Sequence, residues 1–385
     1  MQVILIGNYP PDKQESMERF AQMLSNGFNR AGVDTEIWRP VAVFGSVINT
    51  TQGIGKWIGY IDKWILFPMI LQWRLRRQHL RKSSTRYHVC DHSNAPYLKY
   101  LPKDRTVITC HDALAIRGAF GFSDAYCPAS PAGVILQKWI LRRLQQAGTL
   151  IVTSLLTYDH LLQLSSDRKI SPDNWHIIPL AFNADFKKIE EKERDKLISQ
   201  AGLQPRLPFL LHVGSALPRK NRKMLIDMVT IMGNNWDGKI CFAGEAVESD
   251  LLAYAESKGL RERIVSVVKP GHEILVALYN ACEAFIFPSF SEGFGWPVIE
   301  AQACGALVIA SDLPPMPEVS GGAALHANPN KAEEFANAFN MLRNDQSLRA
   351  ELVRKGFENV KRFNLDKMTN AYLSLHGYVK EKECC

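Results

Sequence analysis

A chain of 385 residues, 46% of them hydrophobic, is too long for one ordinary core and too apolar for disorder, and suits two domains. With 46 Lys and Arg against 39 Asp and Glu, its net charge of +7 favours an anionic ligand or surface without naming it. No C2H2 spacing, RNP sequence or basic tail points to nucleic acid, and eight scattered cysteines without a C-x-x-C pair suggest neither zinc nor a disulfide framework.

The opening Met-Gln-Val-Ile-Leu-Ile-Gly lacks the features of a signal peptide and reads as a first buried strand. Reduced thiols in the cytoplasm are the expectation. A turn-rich loop, Gly7 to Asp12, leads to a helix over Gln14 to Asn29, with apolar Met17, Phe20, Met23, Leu24 and Phe28 at helical spacing. Strand, loop and helix are the start of a Rossmann-like unit.

Residues 53 to 86 are mostly apolar and aromatic as far as Trp73, interrupted by Pro68. Arg74, Arg76, Arg77, Arg81, Lys82 and Arg86 follow, and no acid occurs between Lys63 and Cys90. The run is too short to span a bilayer. Two readings stay open: a buried helix with a solvated basic turn, or a segment lying on an anionic membrane surface. Tyr87 to Cys90 reads as a strand followed by Asp91, His92 and Asn94; Val107 to Cys110 reads as another, followed by His111 and Asp112. Polar residues just after buried strands fall on the rim where open α/β sheets bind ligands. Helix capping is the plain alternative for Asp91 and Asp112. Strands at Leu150 to Thr153 and His176 to Ile178 precede a charged stretch, Lys187 to Lys196, that fits a domain boundary near residue 185.

The second half opens on the strand Phe209 to Val213, then Gly214 and Ser215. Arg219 and Lys220 follow at the expected start of a helix. The helix dipole disfavours cations there, so an adjacent anion would explain them. Strands at Ile240 to Phe242 and Ile264 to Val268 and a helix over Glu273 to Asn280 lead to the strand Phe285 to Phe287. Pro288 ends it; Glu292, Gly293, Phe294 and Gly295 form a loop; Pro297 opens a helix from about Trp296 to Cys304. Glu300 in that helix leans toward its N-terminus, and so toward the loop of Glu292. The plain alternatives are a dipole-complementing Glu300 and a solvated Glu292. Helices over Ala332 to Val360 and Met368 to Glu381 close the chain.

The frame Glu-Gly-Phe-Gly-x-Pro-x-x-Glu-Ala at 292 to 301 resembles the donor-site signature of retaining GT-B glycosyltransferases, glycosyltransferase family 4 (glycosyl transferases group 1). The likeness continues through Pro314 to Leu325 and includes Val-Gly-Ser at 213 to 215 with Arg-Lys-Asn at 219 to 221. It implies an α/β fold of two Rossmann-like domains whose parallel sheets face a central cleft. Residues 1–185 would bind the acceptor and 186–365 the nucleotide sugar, with a C-terminal helix, 366–385, crossing back to the first domain. Arg219 and Lys220 would grip the donor diphosphate. Glu292 would hold sugar hydroxyls and the ring's developing positive charge, Glu300 the ribose hydroxyls, and His111 the donor sugar. Gly214, Ser215, Gly293, Phe294 and Gly295 would line the donor, and Asp91, His92 and Asn94 the acceptor. No Asp-x-Asp stands at a strand end, so no metal is expected, and no cofactor. The donor would be a UDP- or GDP-sugar and the acceptor a sugar or glycolipid. The protein would lie in the cytoplasm, peripheral on the inner face of the cell membrane. One departure stands out: Asp12-Lys13-Gln14-Glu15-Ser16-Met17 occupies the place of the family's glycine-rich loop. The competing readings are a non-catalytic nucleotide-sugar-binding protein and an NAD-type oxidoreductase; the latter lacks G-x-G-x-x-G after the first strand.

Overall fold

The computed structural model describes residues 1–45, 53–79, 84–165 and 172–378. Arg81, Lys82, the side chains of Ile54 and Trp57, and the predicted helix beyond Tyr378 lie outside the described residues. Two compact units result. Met1–Ser123, Cys127–Asn183 and the residues from Leu365 form the first; Asp124–Tyr126 and Ala184–Asn364 form the second.

In the first unit, Gln2–Ile6 (β1), Asp34–Trp38 (β2), Thr85–Val89 (β3), Thr106–Cys110 (β4), Thr149–Val152 (β5) and Trp175–Ile177 (β6) pair in parallel, in the order β2-β1-β3-β4-β5-β6. Val3 to Ile6 are fully buried, the continuous apolar run of a strand covered on both faces. At the edge, β2 alternates instead and carries exposed Asp34 and Glu36, charges that discourage further pairing. The first helix is Glu15–Arg30, and its Phe20, Leu24 and Phe28 form the buried stripe. Gly27 lets the last helix, Leu365–Leu375, pack against it: a Cβ at 27 would lie 2.3 Å from Thr369 Oγ1. That helix stops short of Glu381 because Gly377 adopts a left-handed turn. It brings His376 to within 3.2 Å of His88, whose other ring nitrogen is 2.9 Å from Thr109 Oγ1. Burial pushes both imidazoles down, His376 to about 3.

Residues 53–79 are helical throughout, with a π-helical turn at Asp62–Leu66 between Gly53–Ile61 and Phe67–His79. Pro68 does not break the run. It follows the π turn directly, where the local change of hydrogen-bond register tolerates a residue without an N–H. Asp62 is completely buried. It accepts from the Tyr9 hydroxyl at 2.6 Å and from the backbone N–H groups of Val43, Phe44 and Gly45. Burial alone would raise its pKa; these donors outweigh burial and hold it below the usual carboxylate range.

In the second unit, Phe209–Gly214 (β7), Lys239–Gly244 (β8), Ile264–Val268 (β9), Ala284–Phe287 (β10), Val308–Ser311 (β11) and Leu325–Ala327 (β12) form a parallel sheet ordered β12-β11-β10-β7-β8-β9. Leu210, Ile240, Phe242, Ile286 and Ile309 pack under Leu225, Phe335 and Phe339. In each sheet the strand order reverses once, between β1 and β3 and between β7 and β10. The crevice beyond the carboxyl ends of the strands at such a reversal is where open α/β sheets bind ligands.

Candidate functional site

In the second unit β7 and β10 are neighbours, with Leu211 beside Phe285, so the loops leaving their carboxyl ends meet. After β7 the chain makes a short 3-10 turn, Pro218–Lys220, and regular helix begins only at Lys223. Arg219 and Lys220 therefore sit in a connecting turn and not at a helix start. Asn221, in a left-handed conformation, ties the turn down by donating to the carbonyls of Pro288 and Pro329 at 3.2 and 2.7 Å. The Phe290 N–H donates to the Arg219 carbonyl at 2.8 Å.

The anion beside the two cations is Glu292. Arg219 Nη1 lies 2.7 Å from its Oε2 and Lys220 Nζ 2.6 Å from its Oε1. Arg219 also donates to the Ser291 carbonyl at 2.8 Å. Lys220 and Glu292 are both buried. Burial would raise the Glu292 carboxyl, but Lys220 and then Arg219 outweigh it and hold it below the usual range. Burial pushes the Lys220 ammonium down; Glu292 restores part of the loss and Arg219 adds to it. Two cations thus flank one carboxylate at the reversal of strand order. That arrangement suits an anionic ligand group.

His212, fully buried in β7, stacks near Phe287, and Lys220 Nζ lies 5.1 Å from the same ring. Its Nδ1 donates to the Ile286 carbonyl at 3.2 Å, and its Nε2 has no partner among the described residues. Burial drives its pKa to about 3, so it is neutral. Nothing in the motif marked His212; a polar residue inside an apolar strand was the only sign of it. Glu245 also went unmarked. Its carboxylate accepts the Ala216 N–H at 2.7 Å and fixes the loop that holds Gly214 and half-buried Ser215. Gly244 permits this, since a Cβ there would lie 2.4 Å from the Gly214 carbonyl oxygen.

Gly295 has φ of 96° and would place a Cβ 2.5 Å from Met316 Cε, so the turn into the helix Trp296–Ala303 requires glycine. Phe294, next to Gly293, is buried with its ring 5.7 Å from that of Phe363. Glu300 is buried in the same helix and accepts from the Tyr279 hydroxyl at 2.9 Å. The structure thus gathers Glu292, Arg219 and Lys220 into one cluster and gives Glu300 a different partner.

The first unit has its own cluster at the carboxyl ends of β1, β3 and β4. Asn8 Nδ2 donates to Asp91 Oδ2 at 2.8 Å, and Asn94 Nδ2 to Asn8 Oδ1 at 2.7 Å. The Ser93 hydroxyl donates to Asp91, and Asn8 to Gln14. His92 Nδ1 lies 3.0 Å from the other Asp91 oxygen. Burial opposes charge on both members of this pair. His92 outweighs it for Asp91, and Cys110 together with Asp91 outweighs it for His92. His111 is buried against Phe20 with ring centres 4.4 Å apart, and its Nε2 donates to the Cys90 carbonyl at 2.9 Å. Burial lowers its pKa, and its Nδ1 has no partner among the described residues. Asp91, His92, Asn94 and His111 are thus together, with Asn8 and Gln14 as members that sequence reading missed.

Among the described residues no three His, Cys, Asp or Glu side chains form a metal-binding group, and no helix is long and apolar enough to cross a membrane. The O-antigen chain mannosyltransferase B of Escherichia coli is 32% identical over 174 residues, 43% of this chain and 45% of that protein. The chain spans about half the length, or less, of the curated relatives it matches. Sucrose-phosphate synthase from Thermosynechococcus elongatus superposes with a TM-score of 0.72 at 18% identity, covering 98% of both chains. Anabaena HepE in complex with UDP and glucose gives 0.72 at 15% identity, over 98% of this chain and 100% of that one. At such identities the likeness shows the fold, which is GT-B. Residues 193–359 match the pattern of glycosyl transferases group 1, and they carry the whole Arg219–Lys220–Glu292 cluster. Residues 193–359 are thus similar to the glycosyl transferases group 1 family, within a chain of GT-B fold.

Proposed function

We propose that this protein is a retaining, metal-independent glycosyltransferase that moves a hexose from a UDP- or GDP-sugar to an acceptor hydroxyl. The observation that carries the reading is the buried Arg219–Glu292–Lys220 cluster at the β7/β10 reversal. The donor's diphosphate would lie against the two cations. As the bond from the anomeric carbon to the phosphate oxygen breaks, negative charge grows on the leaving diphosphate, and fixed cations in a buried site stabilise it. Arg219 and Lys220 keep their protons throughout. The acceptor oxygen bonds to the anomeric carbon on the face the diphosphate leaves, and its proton passes to the leaving phosphate oxygen. Glu292 would accept hydrogen bonds from sugar hydroxyls and offset the ring's positive charge. Glu300 would receive the ribose hydroxyls beside Tyr279. Release of UDP or GDP from a panel of nucleotide sugars, with EDTA present and the product anomer read by NMR, tests the reading. No release from any donor, loss of activity in EDTA or an inverted anomer would each overturn the corresponding part.

The acceptor is a sugar or glycolipid, and the helical segment of the first unit favours delivery from a membrane surface. Ile61, Ile65, Met69 and Trp73 are 40 to 65% exposed along it. Val43 and Phe44, tied to the same segment through Asp62, are about half exposed. Arg76 and Arg77 are exposed, and Arg77 stacks 4.1 Å from the Trp73 ring. Apolar side chains beside cations suit an anionic bilayer surface, where each cation contributes about 1 kcal/mol. Sedimentation with anionic vesicles should fall with salt and with Arg74, Arg76 and Arg77 changed to Glu. A wild type that ignores such vesicles at low salt would leave a soluble acceptor.

A further inference from the structure

The first unit contains a cavity of about 300 Å³ at the carboxyl ends of β1 and β3, where its strand order reverses. Its lining includes the aromatic rings of Tyr9, Tyr60 and Trp64 and the amides of Asn8, Gln14 and Asn94. Its volume is at the lower end of small-molecule pockets, about 300 to 1,000 Å³, and so fits one ring rather than an extended ligand.

The polar groups are held in place from behind. Asp91 is fully buried and fixes Asn8 and Ser93, and Asn94 is fixed by Asn8. With these bonds made, both Asn8 Nδ2 hydrogens are used, while the Gln14 amide N–H2 and the Asn94 carbonyl oxygen keep capacity for a ligand. Two further lining residues, Trp64 and Gln137, have a buried indole N–H and a buried amide oxygen without protein partners among the described residues. Donors and acceptors that lack partners ask for a ligand offering both, which a ring of hydroxyls does.

The charge of the cavity is already balanced. Among the described lining residues its one cation, Lys63, lies 2.7 Å from Asp12 Oδ2 and 4.9 Å from the Tyr60 ring centre. A phosphorylated ring would meet Lys63 already paired with Asp12, and behind the lining Asp91 already paired with His92.

We propose that this cavity binds the sugar unit of the acceptor and selects an uncharged monosaccharide ring over a phosphorylated one. The assignment to the acceptor rests on the glycosyltransferase reading; binding of the ring does not. Saturation-transfer NMR and tryptophan fluorescence on the full chain, with no donor present, measure it. The probes are the methyl α-glycosides of glucose, mannose and galactose, and glucose 6-phosphate. At least one glycoside should bind in the millimolar range, and the phosphate at least tenfold more weakly. Gln14→Ala and Asn94→Asp should each weaken the glycoside at least fivefold while thermal shifts with UDP and GDP stay as in the wild type. Asp12→Asn, which frees the Lys63 charge, should strengthen glucose 6-phosphate at least tenfold. Equal or tighter binding of the phosphate by the wild type would overturn the selectivity. So would an Asp12→Asn variant that gains no affinity for it. No glycoside binding in a protein that still binds UDP or GDP would overturn the cavity assignment and leave the transferase reading standing. Glycoside binding without nucleotide binding would do the reverse.

Discussion

Replacing Glu292 by Gln keeps the shape of the side chain and removes its charge. In the free protein this leaves Arg219 and Lys220, whose side chains are 18% and 10% exposed, without their counter-charge. Breaking a buried ion pair by removing one partner costs about 3–5 kcal/mol. Lys220 relieves part of that cost, because burial already lowers its pKa and it can shed its proton. A loss of about 3 kcal/mol follows, and for a unit of this size each kcal/mol moves the melting temperature by about 2–4 °C. The Glu292→Gln variant should therefore melt about 6–12 °C below the wild type. A nucleoside diphosphate would then meet two cations that no longer share a carboxylate. Its affinity should rise about tenfold, equivalent to about 1.4 kcal/mol of the loss, while sugar transfer is lost. Differential scanning fluorimetry with and without UDP and GDP reads the first two quantities, and calorimetric titration checks the affinity. Adding Lys220→Met to Glu292→Gln should recover stability by rebalancing the charge. A Glu292→Gln protein that melts with the wild type and binds nucleotide unchanged would refute the reasoning.

The double variant Arg219→Ala, Lys220→Ala should fold and lose transfer at least a thousandfold; folded protein with unchanged turnover would remove the diphosphate role. Glu300→Gln should weaken UDP or GDP binding about 10- to 100-fold, the range of one charge-assisted hydrogen bond, as read by calorimetry. Gly295→Ala should destabilise the second unit by about 1–3 kcal/mol, from a strained positive φ and the contact with Met316; denaturant unfolding measures it. His88 and His376 have folded pKa values below the unfolded value of about 6.5, so the unfolded chain binds more protons. Stability they contribute is complete above about pH 6.5. It falls below that by about 1.4 kcal/mol per pH unit for each imidazole, continuing toward about pH 3, where His376 itself titrates. Urea unfolding between pH 7.5 and 5 should show the slope, and His376→Gln should reduce it.

The strands were legible because a parallel sheet covered on both faces needs continuous apolar runs, and Val3 to Ile6 and Phe285 to Phe287 are such runs. The pairing of Arg219 and Lys220 with one carboxylate was not. The adjacent cations told of a nearby anion, but only the neighbouring of β7 and β10, strands far apart in sequence, brings Glu292 to them. The helix start at Lys223 was misplaced because the left-handed Asn221 interrupts an otherwise helical pattern. The π turn before Pro68 was not legible, because the sequence carries no mark of one. Asn8 and Gln14 were unreadable as site residues, since their importance comes from Asp91, some 80 positions away.

The contact between Gly27 and Thr369 also orders events during synthesis. The second unit is nearly continuous in sequence, from Ala184 to Asn364, whereas the first needs the helix that begins at Leu365. At 5–20 residues per second, the ribosome takes roughly 10–40 s to make the intervening stretch. Throughout that interval Phe20, His88 and Thr109 lack Tyr372 and His376 as neighbours, and water must stand in for them. The half of the protein made first is the half completed last. A nascent chain released at Asn364 would leave the ribosome with its second unit whole and its first sheet still lacking the helix Leu365–Leu375.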